Sequence, residues 1–97
     1  MNQENDMITT TIHAEARMQQ RRIPVSVLEW LDEFGAREKS RGQEIVYFDK
    51  KSKKLLAREL GPQVVKCISK FLSVYAVMSA DGDVITTGYR FKRLRRH

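Results

Sequence analysis

A chain of 97 residues, 41% hydrophobic and 31% charged, has the size and composition of one small globular domain and not of a disordered or collagen-like polymer. Its 18 Lys and Arg against 12 Asp and Glu leave a net charge of +6, which points to a polyanionic partner. The single Cys67 excludes an internal disulfide or a multi-thiolate zinc site, no apolar run approaches the ~20 residues that span a bilayer, and residues 1 to 6 lack a signal-peptide pattern, so no membrane contact and a cytoplasmic location are expected.

Residues 1 to 8 read as a flexible leader and 9 to 97 as a single domain with a basic C-terminal tail. From Thr11 to about Arg22 the spacing is helical: Ile12, Ala16 and Met18 are placed to face inward, while His13, Arg17 and Arg21 recur every four residues along one side. Pro24 disfavours helix at Ile23. Ser26 with Glu29 three residues on predicts a capping box that opens a second helix, with Val25 stapled to Trp30. Val27, Leu28, Leu31 and Phe34 form the inner stripe of that helix, Trp30 and Phe34 read as core, and Gly35 suits a left-handed closing position.

Ala36 to Gly42 reads as a charged loop and Gln43 to Phe48 as a strand. Asp49 is placed to cap a helix over Lys51 to Leu60, with a hairpin at Lys50 to Lys53 as the alternative. After the Gly61-Pro62 break, Val64, Val65, Ile68, Phe71 and Leu72 repeat as a helical stripe in which Cys67 reads as a buried, inert thiol. Asp81-Gly82 predicts a two-residue type I′ turn between strands Ser73 to Ser79 and Val84 to Phe91. That turn pairs Met78 with Ile85, Ala76 with Thr87 and Val74 with Tyr89 on a core face, and Val77 with Thr86, Tyr75 with Gly88 and Ser73 with Arg90 on the other. The predicted class is α+β, with N-terminal helices packed on a small antiparallel sheet that ends in a β-hairpin.

Charge is uneven: residues 1 to 35 carry three bases and six acids, whereas residues 36 to 97 carry fifteen bases and six acids. The run Arg90, Lys92, Arg93, Arg95 and Arg96 is a phosphate-binding footprint or else a solvated tail, and Lys50 to Lys54 is the alternative footprint. An unperturbed imidazole such as histidine carries can give or take a proton near neutral pH and an Arg one turn from His13 can grip a phosphate, although an ordinary exposed basic helix face has the same spacing. Thr86, Tyr75 and Arg90 share the polar hairpin face. There Gly88 leaves room for a ligand backbone, and a bulge at Gly88 would turn Tyr89 to the same side. No metal or cofactor is expected, since the two histidines, His13 and His97, sit in no ligand motif.

The run Thr11-Ile12-His13-Ala14-Glu15-Ala16-Arg17-Met18-Gln19-Gln20-Arg21-Arg22-Ile23 resembles T-x-H-A-x-x-R-M-x-x-R-G-I, the signature of a family of small bacterial domains of unknown function grouped with the RelE-like ribonuclease toxins. Asp83 to Arg90 is similar to that family's closing strand, and Arg22 stands where the signature carries Gly. The resemblance implies a RelE-like fold and a metal-independent endoribonuclease of a toxin-antitoxin pair. His13, Arg17, Thr86, Tyr89 and Arg90 would be catalytic, and Arg21, Tyr75, Lys92, Arg93, Arg95 and Arg96 would bind RNA. The implied partners are RNA, free or on the ribosome, and an acidic antitoxin. A non-catalytic nucleic-acid-binding or protein-interaction module of the same fold is the alternative.

Overall fold

The structure is a computed structural model that describes residues 8–90. The expected leader, apart from Ile8, and the tail cations Lys92, Arg93, Arg95 and Arg96 lie outside the described residues.

Helix α1 (Ile12–Arg21) starts at Thr11, whose hydroxyl accepts the Ala14 N–H at 3.1 Å. Its inward residues are Ala14, fully buried, and Met18, whereas Ile12 is 87% exposed and Ala16 also faces solvent. The expected stripe is thus rotated, because the smallest side chain sits where the helix backbone comes closest to the sheet. Helix α2 (Val25–Phe34) begins two residues earlier than expected, with Pro24 and not Ser26 at the N-cap and no side-chain cap. Ser26 lies inside the first turn and forms no capping box. Pro24 supplies the extended backbone that an N-cap needs, and its carbonyl takes the Val27 N–H at 3.1 Å.

The segment expected as a charged loop is instead a strand, β1 (Ala36–Ser40), paired with β2 (Gln43–Tyr47). Arg41 and Gly42 join them with φ of 54° and 78°, the double left-handed conformation of a two-residue type I′ turn. Asp49 caps α3 (Lys50–Leu60), so the helical alternative holds there and the hairpin does not: its carboxylate accepts both the backbone N–H of Ser52, at 2.8 Å, and its hydroxyl, at 2.7 Å. The next helical stripe breaks into α4 (Pro62–Cys67) and a 3₁₀ turn (Ser69–Phe71), and Cys67 is exposed, not buried.

Strands β3 (Val74–Met78) and β4 (Val84–Tyr89) complete an antiparallel sheet of order β1-β2-β3-β4. Their connection is not the expected type I′ turn. The Ser79 N–H donates to the Asp83 carbonyl at 2.9 Å, which encloses Ala80, Asp81 and a left-handed Gly82 in a three-residue loop. The extra residue sets Val84, not Ile85, opposite Met78, and an irregularity there restores the expected pairs Val77–Thr86, Tyr75–Gly88, Ala76–Thr87 and Val74–Tyr89.

Val46, Val74, Ala76, Met78 and Val84 line one sheet face and pack with Val27, Leu28 and Leu31 of α2 and Ala14 of α1; Phe48 and Leu56 extend this core beneath α3. Arg37 of β1 pairs with Asp32 at the end of α2 and, at 2.8 Å, with Glu44 of β2. Partial burial works against the Arg37 charge, but its bonds to Asp32 and Glu44 outweigh that, so the guanidinium holds its proton more firmly than usual.

Gly35 does not adopt the expected left-handed conformation; its φ is −75°. A Cβ there would lie 2.6 Å from the Leu31 carbonyl oxygen and 2.9 Å from Val46 Cγ1, so glycine is needed for close passage between α2 and β2. Gly35→Ala should therefore lower the urea midpoint, costing about 1–3 kcal/mol as overpacking does. The Asp49 carboxyl is held below the usual carboxylate range, first by the Ser52 hydroxyl and then by the Ser52 N–H. Its cap is complete above the unfolded pKa of about 3.9 and is lost as the pH falls through the lower folded value. Asp49→Ala should destabilise the chain by about 1 kcal/mol at pH 7, and the difference from wild type should shrink in acid denaturation series below pH ~4.

Candidate functional site

Helix α1 is fixed along the outer edge of β4. The Val84 N–H donates to the Thr9 carbonyl at 2.8 Å, the Thr11 N–H donates to the Val84 carbonyl at 3.0 Å, and the Thr11 hydroxyl donates to the Ile85 carbonyl at 3.1 Å. At the other end the Tyr89 hydroxyl donates to the Arg21 carbonyl at 3.2 Å. Helix and strand thus run side by side with their ends matched. From His13 to Arg21 the helix rises about 12 Å, and from Thr86 to Arg90 the strand advances about 13 Å.

Around α1, His13 and Arg17 fall on one flank and Glu15 and Gln19 on the other, with Ala14 buried between them. His13 is exposed, and Arg17 donates to the Gln20 side chain at 3.1 Å. A groove of about 540 Å³ lies on the Glu15 flank, lined by Ile8, Thr10, Met18, Arg22 and Val25 among others, so it does not include the predicted histidine and arginine. Arg22 closes α1 in the left-handed region, with φ 56° and ψ 50°. Glycine adopts that conformation more freely than a residue with a side chain.

The predicted residues of the hairpin divide between two faces. Tyr89 stays opposite Val74 on the helix-covered face, because the irregularity falls at the turn and not at Gly88. Its hydroxyl is a strut to α1. Thr86, Tyr75 and Arg90 share the opposite face, where side chains of β2, β3 and β4 are half-buried. Gly88 leaves no room for a ligand backbone, since the Tyr75 ring lies across it, with Cε1 3.3 Å from where a Cβ would stand.

This open face holds an aromatic pair that the sequence pattern alone did not single out. Tyr47 of β2 lies directly opposite Tyr75, the Arg90 guanidinium sits 5.0 Å from the Tyr47 ring centre, and the Tyr47 hydroxyl donates to Glu38 at 3.1 Å. The Nε of Arg90 is buried without a hydrogen-bond partner among the described residues. The alternation Ile45-Val46-Tyr47-Phe48 carried the signal: once Val46 and Phe48 face the core, Ile45 and Tyr47 must face the other way. Bases stack on such rings, and an adjacent Arg neutralises phosphate.

Among the described residues no cluster of His, Cys, Asp and Glu could hold a metal ion, and no helix is long and apolar enough to cross a membrane. Compared with protein-family models, curated proteins and solved structures, the chain matches none.

Tyr89→Phe separates a strut from an acid or base. With the phenol acting only through Arg21, the variant should lose at most about 1 kcal/mol in thermal unfolding, the worth of one exposed hydrogen bond, and should retain any RNA-directed activity within about twofold. A loss of 10²-fold or more in rate would return Tyr89 to the chemistry.

Proposed function

We propose that this chain is a metal-independent endoribonuclease of toxin type, acting on RNA phosphodiesters along the α1–β4 edge and held in check by an acidic antitoxin. The observation that supports the reading is the fixing of α1 along the outer edge of β4 through Thr11 and Tyr89, with the helix that carries His13, Arg17 and Arg21 beside that edge and Thr86 and Arg90 on the sheet face reached around it.

In this reading the RNA 2′-oxygen attacks the adjacent phosphorus, the bond to the 5′-oxygen breaks, and a 2′,3′-cyclic phosphate and a 5′-hydroxyl result. His13 takes the proton from the 2′-hydroxyl or returns one to the leaving 5′-oxygen, since an imidazole ring nitrogen can accept or donate a proton. Arg17, one turn on, balances the charge that builds on the phosphorane, and Thr86 donates to a phosphate oxygen. Arg90 lies roughly 13 Å along β4 from Thr86, and Arg21 belongs to the same end of the helix-strand pair, where its carbonyl meets Tyr89. They hold a neighbouring nucleotide and not the reacting phosphate, while Tyr75 and Tyr47 offer rings to its base. A binding module without catalysis is the second reading, favoured by that Tyr47–Tyr75–Arg90 group.

Labelled RNA incubated with the purified protein in EDTA, with and without ribosomes, tests the proposal. Fragments ending in 2′,3′-cyclic phosphate are expected, with His13→Ala slowing cleavage by about 10²–10⁴-fold while sparing binding, and Arg17→Ala weakening both. Retention of intact RNA would replace the enzyme with the binding module, and absence of both cleavage and retention would leave a protein-interaction domain.

A further inference from the structure

The outward face of α3 is electrostatically unfavourable to its own helix. Lys50, Lys51, Lys54 and Arg58 are all exposed and, at 100° per residue, fall within an arc of about 100° on the side opposite the buried Leu56. Lys50–Lys54 and Lys54–Arg58 are like-charge pairs at i, i+4, and the first turn carries lysines but no acid, against the sense of the helix dipole. Among the described residues the salt bridges are those Arg37 makes with Asp32 and Glu44, and the carboxylate whose charge reaches the stripe is the N-cap Asp49, near Lys51, which leaves Lys50, Lys54 and Arg58 without a salt bridge. A groove of about 430 Å³ is lined by Lys51, Lys54, Leu55 and Arg58. The stripe also starts three residues after Tyr47, the ring that carries Arg90.

We propose that the outward face of α3, through Lys50, Lys51, Lys54 and Arg58, is a second docking surface for the phosphate backbone of RNA, separate from the α1–β4 edge. It rests on the reading of the chain as a protein that acts on RNA. The side-chain chemistry favours phosphates over a carboxylate-bearing partner. Three of the four cations are lysines, mobile point charges that can follow a phosphate backbone of variable path without the fixed bidentate geometry that an arginine fork sets with phosphate and carboxylate alike. Repulsion along the stripe is relieved when each cation meets a phosphate, and the counterions released from the nucleic acid drive the association.

The test measures binding of a fluorescently labelled 2′-O-methyl oligoribonucleotide, which lacks the attacking hydroxyl and cannot be cut, over a series of salt concentrations. The protein is compared with K50Q/K51Q/K54Q/R58Q and with the milder K51Q/K54Q, each checked by thermal unfolding. Both variants should melt at or above the wild-type temperature, since repulsion has been removed. The slope of log affinity against log salt should fall by about 0.7 for every phosphate that the variant no longer neutralises. An unchanged slope overturns the proposal, as does absence of wild-type binding. It is equally overturned if polyglutamate binds wild type and not the variants while the oligonucleotide binds all alike, because the surface then serves an acidic protein. A reduced slope in a protein that leaves ordinary RNA uncut keeps the docking surface and removes the ribonuclease reading alone.

Discussion

The edge of β4 is the constraint around which the molecule is arranged. An outermost strand exposes unpaired N–H and carbonyl groups, and here both groups of Val84 and the carbonyl of Ile85 are taken up by Thr9 and Thr11 immediately before α1 begins. The same Thr11 accepts from Ala14, so one residue both protects the sheet edge and starts the helix. Ala14 then enters the core with no exposed surface, and its small side chain lets the α1 backbone lie close to the strand. With the near end fixed, the Tyr89 hydroxyl secures the far end. The rotation of α1 follows, and with it the flank on which His13 and Arg17 appear.

Two chemically different surfaces result from a single layer of helices on a single sheet. The covered face is apolar throughout β3, and its one buried hydroxyl, on Thr87, is satisfied by the Tyr75 carbonyl at 2.7 Å. The open face carries two tyrosines, an arginine and a threonine, side chains with one apolar and one polar part that tolerate partial burial. Gly88 belongs to this division. It is small because the Tyr75 ring crosses it, which makes it a packing device for the aromatic pair and not an opening for a ligand.

Cations are treated differently in different parts of the fold. Arg37 is fully engaged, bridging the end of α2 to two strands, and its role is architectural. The lysines of α3 are held by nothing comparable, although Asp49 gives the helix a firm start through Ser52, which is itself 2% exposed. A sequence that keeps a repulsive stripe on a well-capped helix departs from local consistency, and such departures concentrate where a protein meets a partner.

Local signals carried far in this sequence. Asp49 and Gly82 are legible because capping and left-handed turns demand particular side chains within four residues, the helical spacing starts where α1 does, and alternation in β3 fixed which of its residues are buried. The α+β class follows from those signals, whereas the expected pairing of Thr86 with Val77 holds because the irregularity beside Met78 offsets the residue that the longer loop adds. Tertiary structure decided the rest. Arg41-Gly42 is a hairpin turn although its sequence is not the favoured one, because Val46 must pair with Ala76 and leaves β1 the free edge of β2. The three-residue loop moved the irregularity away from Gly88 and kept Tyr89 under α1. The faces of α1 and the meeting of Tyr47, Tyr75 and Arg90 depend on residues far apart in the chain, and only the packing of helix on strand and strand on strand brings them to one place.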